Sequence, residues 1–272
     1  MLIDTNTYIG HWAFRPLPWH TAGDLVRAMD THGIDRAFVS SASAILYRNP
    51  QAGNEELFAQ VRAHADRLVP FAVLNPTYAE WEHDLAVCHG EFGCRGVRLY
   101  PGYHRYTLGD PAGAALIAAA TARGMVVSVP LRVEDNRQRS WLLDVPDVPA
   151  AEVAEAARAH PQGRFLPVNG AGYTGTAFAA RGELPCDYAL EISRLSCFVP
   201  AEELPALLAA AGPEHLAFGS GMPFTVPEVP LLKLEVLDAP AEAMEAIRWG
   251  NAARLLSGSP GVPHARPRDS KV

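Results

Sequence analysis

Short apolar runs alternate with stretches of helical spacing along nearly the whole chain, the pattern of a parallel sheet whose strands are joined by helices. Eight runs read as strands: 1–8, 37–41, 69–75, 96–100, 125–131, 164–169, 188–193 and 216–220. Between them, 22–32 sets Leu25, Val26 and Met29 on one face and stops at Gly33. Asn54 is placed to cap a helix over 55–67, whose acidic first turn suits the positive end of the helix dipole. Segment 111–123 is rich in alanine and ends at Gly124. Segments 149–160 and 200–211 each open on proline, where a missing N–H costs nothing. Segments 240–249 and 252–256 close the pattern, and the glycines of 171–185 mark a long loop.

Eight βα repeats favour a single closed α/β barrel, a (β/α)8 TIM barrel, over residues 1–256. An open doubly wound sheet is the rival, but no G-x-G-x-x-G follows the first strand. Residues 257–272 carry Gly, Pro and charge without an apolar period and read as a disordered C-terminal tail.

Composition narrows the function classes. The 272 residues are 49% hydrophobic, enough for one large core, and carry a net charge of −7 with no basic stripe. An extended nucleic-acid surface is thereby excluded, because phosphate neutralisation needs clustered Lys and Arg. Cys88, Cys94, Cys186 and Cys197 have no CxxC spacing, which argues against structural zinc or a secreted disulfide framework. The chain opens directly on a strand, leaving no room for a signal peptide, and no apolar run approaches the roughly 20 residues that span a bilayer. A cytoplasmic protein with no membrane partner is expected.

Five segments, in chain order, carry motifs of one known family. Residues 3–10 (IDTNTYIG) resemble I-D-x-H-x-H-x-G, and residues 67–76 (RLVPFAVLNP) resemble the third-strand segment ending N-P. Residues 93–101 (GCRGVRLYP) match G-x-x-G-[IV]-[KR]-L-x-P. Residues 218–224 (FGSGMPF) look like [FY]-G-S-D-x-P-F, and 250–256 (GNAARLL) match the terminal G-N-A-x-R-L-L. Together they resemble the amidohydrolase superfamily, in its amino-carboxymuconate-semialdehyde decarboxylase-like branch, and the resemblance implies the same barrel, with a divalent metal at the C-terminal ends of the strands. It also implies that the ligand positions are altered. The two first-strand histidines correspond to Asn6 and Tyr8, the fifth-strand histidine falls at or near Pro130, the sixth-strand one is Asn169, and the eighth-strand aspartate is Gly221. Asn, a neutral Tyr and Gly are poor substitutes for imidazole and carboxylate, so neither metal nor other cofactor is expected.

Strand parity brings other groups to the mouth, where barrel chemistry sits. Arg98 and Tyr100 share a face, as do Arg132 with Glu134 and Glu191 with Ser193. Arg98 and Arg132 are either forks for a substrate carboxylate or partners of Glu191 or Glu134 in a buried ion pair. Tyr8 and Tyr100 either donate to an oxyanion or cap the barrel with their rings. His11 and His104 follow strands one and four and are candidate acid–base groups, or else exposed loop histidines. Trp12, Phe14 and Trp19 form an apolar wall over a ligand or bury themselves on the rim.

The expected catalytic set is Tyr8, His11, His104 and Glu191, with Asn6, Arg98, Tyr100, Arg132, Asn169 and Ser193 binding substrate and no metal ligand. The leading reading is a metal-independent hydrolase of lactone or amide type, or a lyase, acting on a small, anionic or cyclic metabolite. The alternative is a non-catalytic binding protein, and a third reading is a relocated metal site at His11, His104 and Glu191. Relatives are often dimers, so a homodimer is the protein partner the resemblance allows.

Overall fold

The computed structural model describes residues 1–195 and 202–257. Seven strands form one parallel sheet in chain order: β1 (Ile3–Ile9), β2 (Arg36–Ser41), β3 (Leu68–Val73), β4 (Gly96–Arg98), β5 (Val126–Pro130), β6 (Arg164–Val168) and β7 (Asp187–Tyr188). A parallel pair, β8 (Leu190–Glu191) and β9 (Leu216–Ala217), continues it past Ala189. The expected seventh strand is thus split into β7 and β8.

Backbone bonds close the sheet on itself. Thr5 donates to the Phe218 carbonyl at 3.0 Å, Tyr8 to Met222 at 2.8 Å, and Gly221 to the Asn6 carbonyl at 2.8 Å. These join the first strand to the last, which makes the fold a (β/α)8 barrel. Every residue of β1 is buried, as expected of a strand covered on one face by helices and on the other by the barrel interior.

The helices are α1 (Ala22–Thr31), α2 (Gln51–Val61), α3 (Trp81–Gly90), α4 (Pro101–His104), α5 (Pro111–Ala122), α6 (Ala150–Ala159), α7 (Glu203–Ala211), α8 (Glu228–Val236), α9 (Ala241–Glu245) and α10 (Asn251–Ser257). α1 is capped by Thr21, whose hydroxyl accepts from the Asp24 N–H at 3.1 Å, a device worth about 1 kcal/mol. Leu25 and Met29 are fully buried on its inner face, as the spacing predicts. Gly33 takes the left-handed conformation after it, with φ of 65°.

Asn54 is not a cap. α2 begins three residues earlier, behind Pro50, and Asn54 lies inside it. Its side chain donates to the Val73 carbonyl at 2.8 Å and accepts from the Val73 N–H at 2.9 Å. That pair of bonds satisfies the open end of β3 and ties it to the helix. α3, α4 and α8 have no counterpart among the expected helices. Segment 171–185 is a loop containing two short 3-10 turns, Tyr173–Gly175 and Ala177–Ala179. The expected tail lies outside the described residues apart from Ser257, which ends α10.

The interior is layered. At the bottom, Ile3, Phe38, Phe71, Val126 and Leu166 pack together and are closed off by Ala252 and Leu255 of α10. The Phe38 and Phe71 rings stack with centroids 4.9 Å apart. Gly96 is required there, since a Cβ would lie 2.2 Å from the Phe71 ring. At the mouth a second apolar group joins Tyr8, Trp12, Leu17, Val73, Tyr100, Val133 and Phe224. Polar side chains fill the space between.

Candidate active site in the barrel interior

Arg98 forms the middle of the polar layer and is fully buried. Its Nη1 donates to the Thr7 carbonyl at 3.0 Å and to Ser40 Oγ at 3.2 Å. Nη2 donates to the Thr5 carbonyl at 3.0 Å, and Nε to Ser128 Oγ at 3.3 Å. The guanidinium lies 4.9 Å from the centroid of Tyr8 and 5.6 Å from that of Phe71, close enough for cation–π attraction in a desolvated place. The expected ion pair with Glu191 or Glu134 is absent. Backbone carbonyls exposed by the irregular β1, whose register shifts between Asp4 and Thr7, take the place of a carboxylate.

Glu191 is equally buried and equally well held. Its Oε2 accepts from Asn6 Nδ2 at 3.0 Å, the Asn169 N–H at 2.8 Å and Ser193 Oγ at 2.9 Å. Oε1 accepts from the Ser193 N–H. Asn6, Asn169, Glu191 and Ser193, all expected at the site, are therefore in direct contact. Asn169 adopts a left-handed backbone with φ of 53°. Its amide donates to the carbonyls of Arg132 at 2.8 Å and Val133 at 3.1 Å. Gly219 leaves room for Glu191, because a Cβ there would come within 2.4 Å of the Glu191 side chain.

Four oxygens in this layer are buried without a hydrogen-bond partner: Asp4 Oδ2, Asn6 Oδ1, Tyr8 Oη and Tyr100 Oη. Such orphans are costly and cluster where a ligand or solvent completes the set. Burial pushes the Tyr8 hydroxyl up to about 12, against the opposing charge of Arg98. Burial, followed by the neighbouring Tyr8, raises Tyr100 well above its ordinary value. Both are hydrogen-bond donors at neutral pH. Asp4 was not among the expected residues. Its Oδ1 accepts from the Asn6 N–H at 3.0 Å and the Ser220 N–H at 2.9 Å. Burial nonetheless lifts its carboxyl to about 7, with hydrogen bonds from Ser220 and Asn6 opposing and Glu191 adding to the rise.

The remaining expected residues stand apart. His11 is exposed, with its ring 5.1 Å from that of His20. His104 is not an exposed loop residue: the single turn of α4 folds it inward, 6.2 Å from the Tyr100 ring. Both its ring nitrogens lack a partner, and burial holds it down at about 4. Arg132 pairs with Asp147, which also binds Arg139 at 3.0 Å. Glu134 is taken by Trp12 Nε1 at 2.9 Å and Arg15 Nε at 2.8 Å, so it pairs with neither Arg98 nor Arg132. Trp12 and Phe14 meet edge to face on the rim with Phe224 behind, while Trp19 packs against the outer core. His11, His104 and Glu191 do not come together as a metal site. Among the described residues no group of three or more His, Cys, Asp or Glu could hold a metal ion. Cys88, Cys94 and Cys186 are free and buried, and Cys197 lies outside the described residues. Among those residues, no helix is long and apolar enough to cross a membrane.

The sequence profile of the family described as Amidohydrolase matches residues 20–258. This chain belongs to the amidohydrolase family. No curated protein matches its sequence. Solved structures give the same barrel. The 2,6-dihydroxybenzoate decarboxylase from Rhizobium superposes with a TM-score of 0.70 at 14% identity, over 94% of this chain and 98% of that one. A dihydroxybenzoic acid decarboxylase from Polaromonas, solved with manganese and 2-nitroresorcinol, gives 0.71 at 16%, over 94% and 96%. An uncharacterised TIM-barrel protein from Bordetella bronchiseptica gives 0.72 at 17%, over 94% and 98%. At these identities the likeness is one of fold. The amidohydrolase barrel accounts for the location of the polar layer, since family chemistry sits inside the C-terminal ends of the strands.

Proposed function

We propose that this amidohydrolase-family chain is an enzyme that acts on a small carboxylated or cyclic metabolite without a divalent metal, by hydrolysis of a lactone or amide or by carbon–carbon lysis. The observation that carries the reading is the pair of buried tyrosines Tyr8 and Tyr100, whose hydroxyls lack a partner beside Arg98, 4.9 Å from the Tyr8 ring. Tyr8 and Tyr100 donate to the substrate oxygen on which negative charge collects, and Arg98 positions Tyr8 and offsets that charge. Asp4, poised near neutrality, exchanges a proton with the reacting group, which is the match of pKa to pH that acid–base catalysis wants. Above the layer Trp12 meets Tyr103 at 6.4 Å and Phe224 at 5.2 Å, edge to face.

The family's divalent metal does not fit the residues present. The positions expected for its ligands hold Asn6, Tyr8, Asn169 and Gly221, with the fifth-strand one at or near Pro130, and the Asn6 amide nitrogen is turned towards Glu191 as a donor. A carboxylate offers about four lone-pair sites, and four donors already occupy Glu191. No step is therefore routed through a metal. The same saturation of Glu191 favours the second reading, a non-catalytic binding protein that keeps a pocket and has lost a strong base.

Protein treated with chelator, with its metal content measured, separates these readings. A thermal-shift screen of aromatic carboxylates, lactones and cyclic amides identifies ligands, and each hit is then assayed for turnover. The enzyme reading expects turnover by metal-free protein and a fall in kcat of about 100-fold in Tyr8→Phe. Binding with no turnover establishes the binding protein instead. Turnover that appears only with added manganese or zinc overturns metal independence.

A further inference from the structure

At the opposite end of the barrel a cleft of about 300 Å3 lies between the ends of α3 and α5, bordered by His89, Cys94, Arg95, Arg123 and Gly124. Arg164 reaches its edge: Nη2 lies 3.1 Å from where a Cβ of residue 124 would be. Arg95 and Arg123 are exposed and Arg164 is half-buried. Burial, and next the charge of Arg95, hold Arg164 below its ordinary value, so two of these cations feel each other directly.

Each arginine uses one donor on a helix-terminal carbonyl. Arg95 binds Leu256 at 3.1 Å, Arg164 binds Leu255 at 2.5 Å, and Arg123 binds Ala119 at 3.0 Å. Among the described residues, none of the three has a carboxylate within 4.0 Å. The carbonyl ends of α3, α5 and α10 supply part of the compensation, at roughly half a negative charge each. Three guanidiniums thus border the cleft, each compensated by a helix-end carbonyl and not by a paired carboxylate, in a chain whose net charge is −7. The free forks suit a compact anion with several oxygens.

From the clustering of Arg95, Arg123 and Arg164 around this cleft we infer a second ligand site, separate from the barrel interior, that takes the phosphate group of a small phosphorylated metabolite. Pyrophosphate and inorganic phosphate are the probes. Titration calorimetry at constant ionic strength should show saturable pyrophosphate binding that weakens as salt is raised. Arg123→Gln, which touches only its own helix, should weaken it about fivefold, and Arg123→Glu should abolish it. Each variant should keep the melting temperature of the unliganded protein. Arg62→Gln, an exposed arginine on the turn after α2, should bind as the unaltered chain does. Arg95→Lys, which keeps the charge but loses the fork, should fall between. No saturable heat with either probe, or binding unchanged in Arg123→Glu, overturns the assignment.

Discussion

Asp4→Asn isolates the ionisation of one buried carboxyl. The carboxyl of Asp4 is fully buried, and its pKa rises from 3.8 to about 7 in the folded chain. A rise of about three units corresponds to roughly 4 kcal/mol, at about 1.4 kcal/mol per unit. The folded-state value lies above the unfolded one. The stabilising contribution is therefore complete below pH 3.8 and is lost as pH rises through 7. Asparagine cannot ionise, yet its side-chain oxygen can still accept from Asn6 and Ser220, which hold Oδ1 now. Urea unfolding, followed by the fluorescence of the five tryptophans, would be measured for both proteins from pH 4.5 to 8.5. The variant should already be the more stable by about 1 kcal/mol at pH 4.5. Its advantage should widen with pH and level off at roughly 4 kcal/mol above pH 7. Only the difference is interpreted, since every other titrating group is common to both. A gap that is constant with pH, or one that opens towards acid, would mean that Asp4 is held ionised and that Oδ2 has a partner.

His104 acts in the opposite direction, because its folded value of about 4 lies below the ordinary 6.5; its contribution is present above pH 6.5 and lost as pH falls through 4. His104→Phe fills the same space without an ionisable ring and should exceed the unaltered protein by roughly 2–3 kcal/mol near pH 4.5, read by the same urea titration, with the advantage fading above pH 7. Asn54→Ala strands the Val73 N–H and carbonyl inside the protein and should cost about 2–4 kcal/mol, measured as a shift of the urea midpoint at pH 7.

Strands such as β3 and β5 were legible because a barrel strand is buried on both faces and so appears as an apolar run, whereas β1 buries Asp4, Thr5, Asn6 and Thr7 in its middle. α3 escaped because only Leu85 and Cys88 of its residues are buried, which leaves no recognisable stripe. α8 escaped for the converse reason: Val229, Leu232 and Val236 are apolar yet exposed, so its pattern does not mark an inner face. Asn54 was read as a cap because acidic residues follow it, whereas its side chain serves the end of a strand 19 residues away. Parity turned Tyr8 and Arg98 to the same side, and the guanidinium lies 4.9 Å from the Tyr8 ring. Parity could not reveal what Arg98 binds, since the Thr5 and Thr7 carbonyls belong to the backbone and carry no signature of residue type. Asp4 was invisible as a site residue because the environment that raises it includes Ser220, 216 positions away.

The layering explains why these few groups matter. Apolar side chains seal the polar layer from below, with α10 as the floor, and aromatic rings cover it from above. In such a low-dielectric space an uncompensated charge is expensive. Arg98 and Glu191 supply one charge of each sign, and both act on Tyr8. A third charge at Asp4 has no counterpart, and this is the physical content of its raised pKa. A ligand that enters as an anion encounters the same limit. It must either meet Arg98 or enter with Asp4 protonated, whereas a neutral lactone or amide meets no such demand. Under the proposed function, the protonation of Asp4 links the charge of the ligand to the pH at which this layer accepts it. Under the same proposal, Tyr8 and Tyr100, neutral donors at neutral pH, are the groups that contact either kind of ligand.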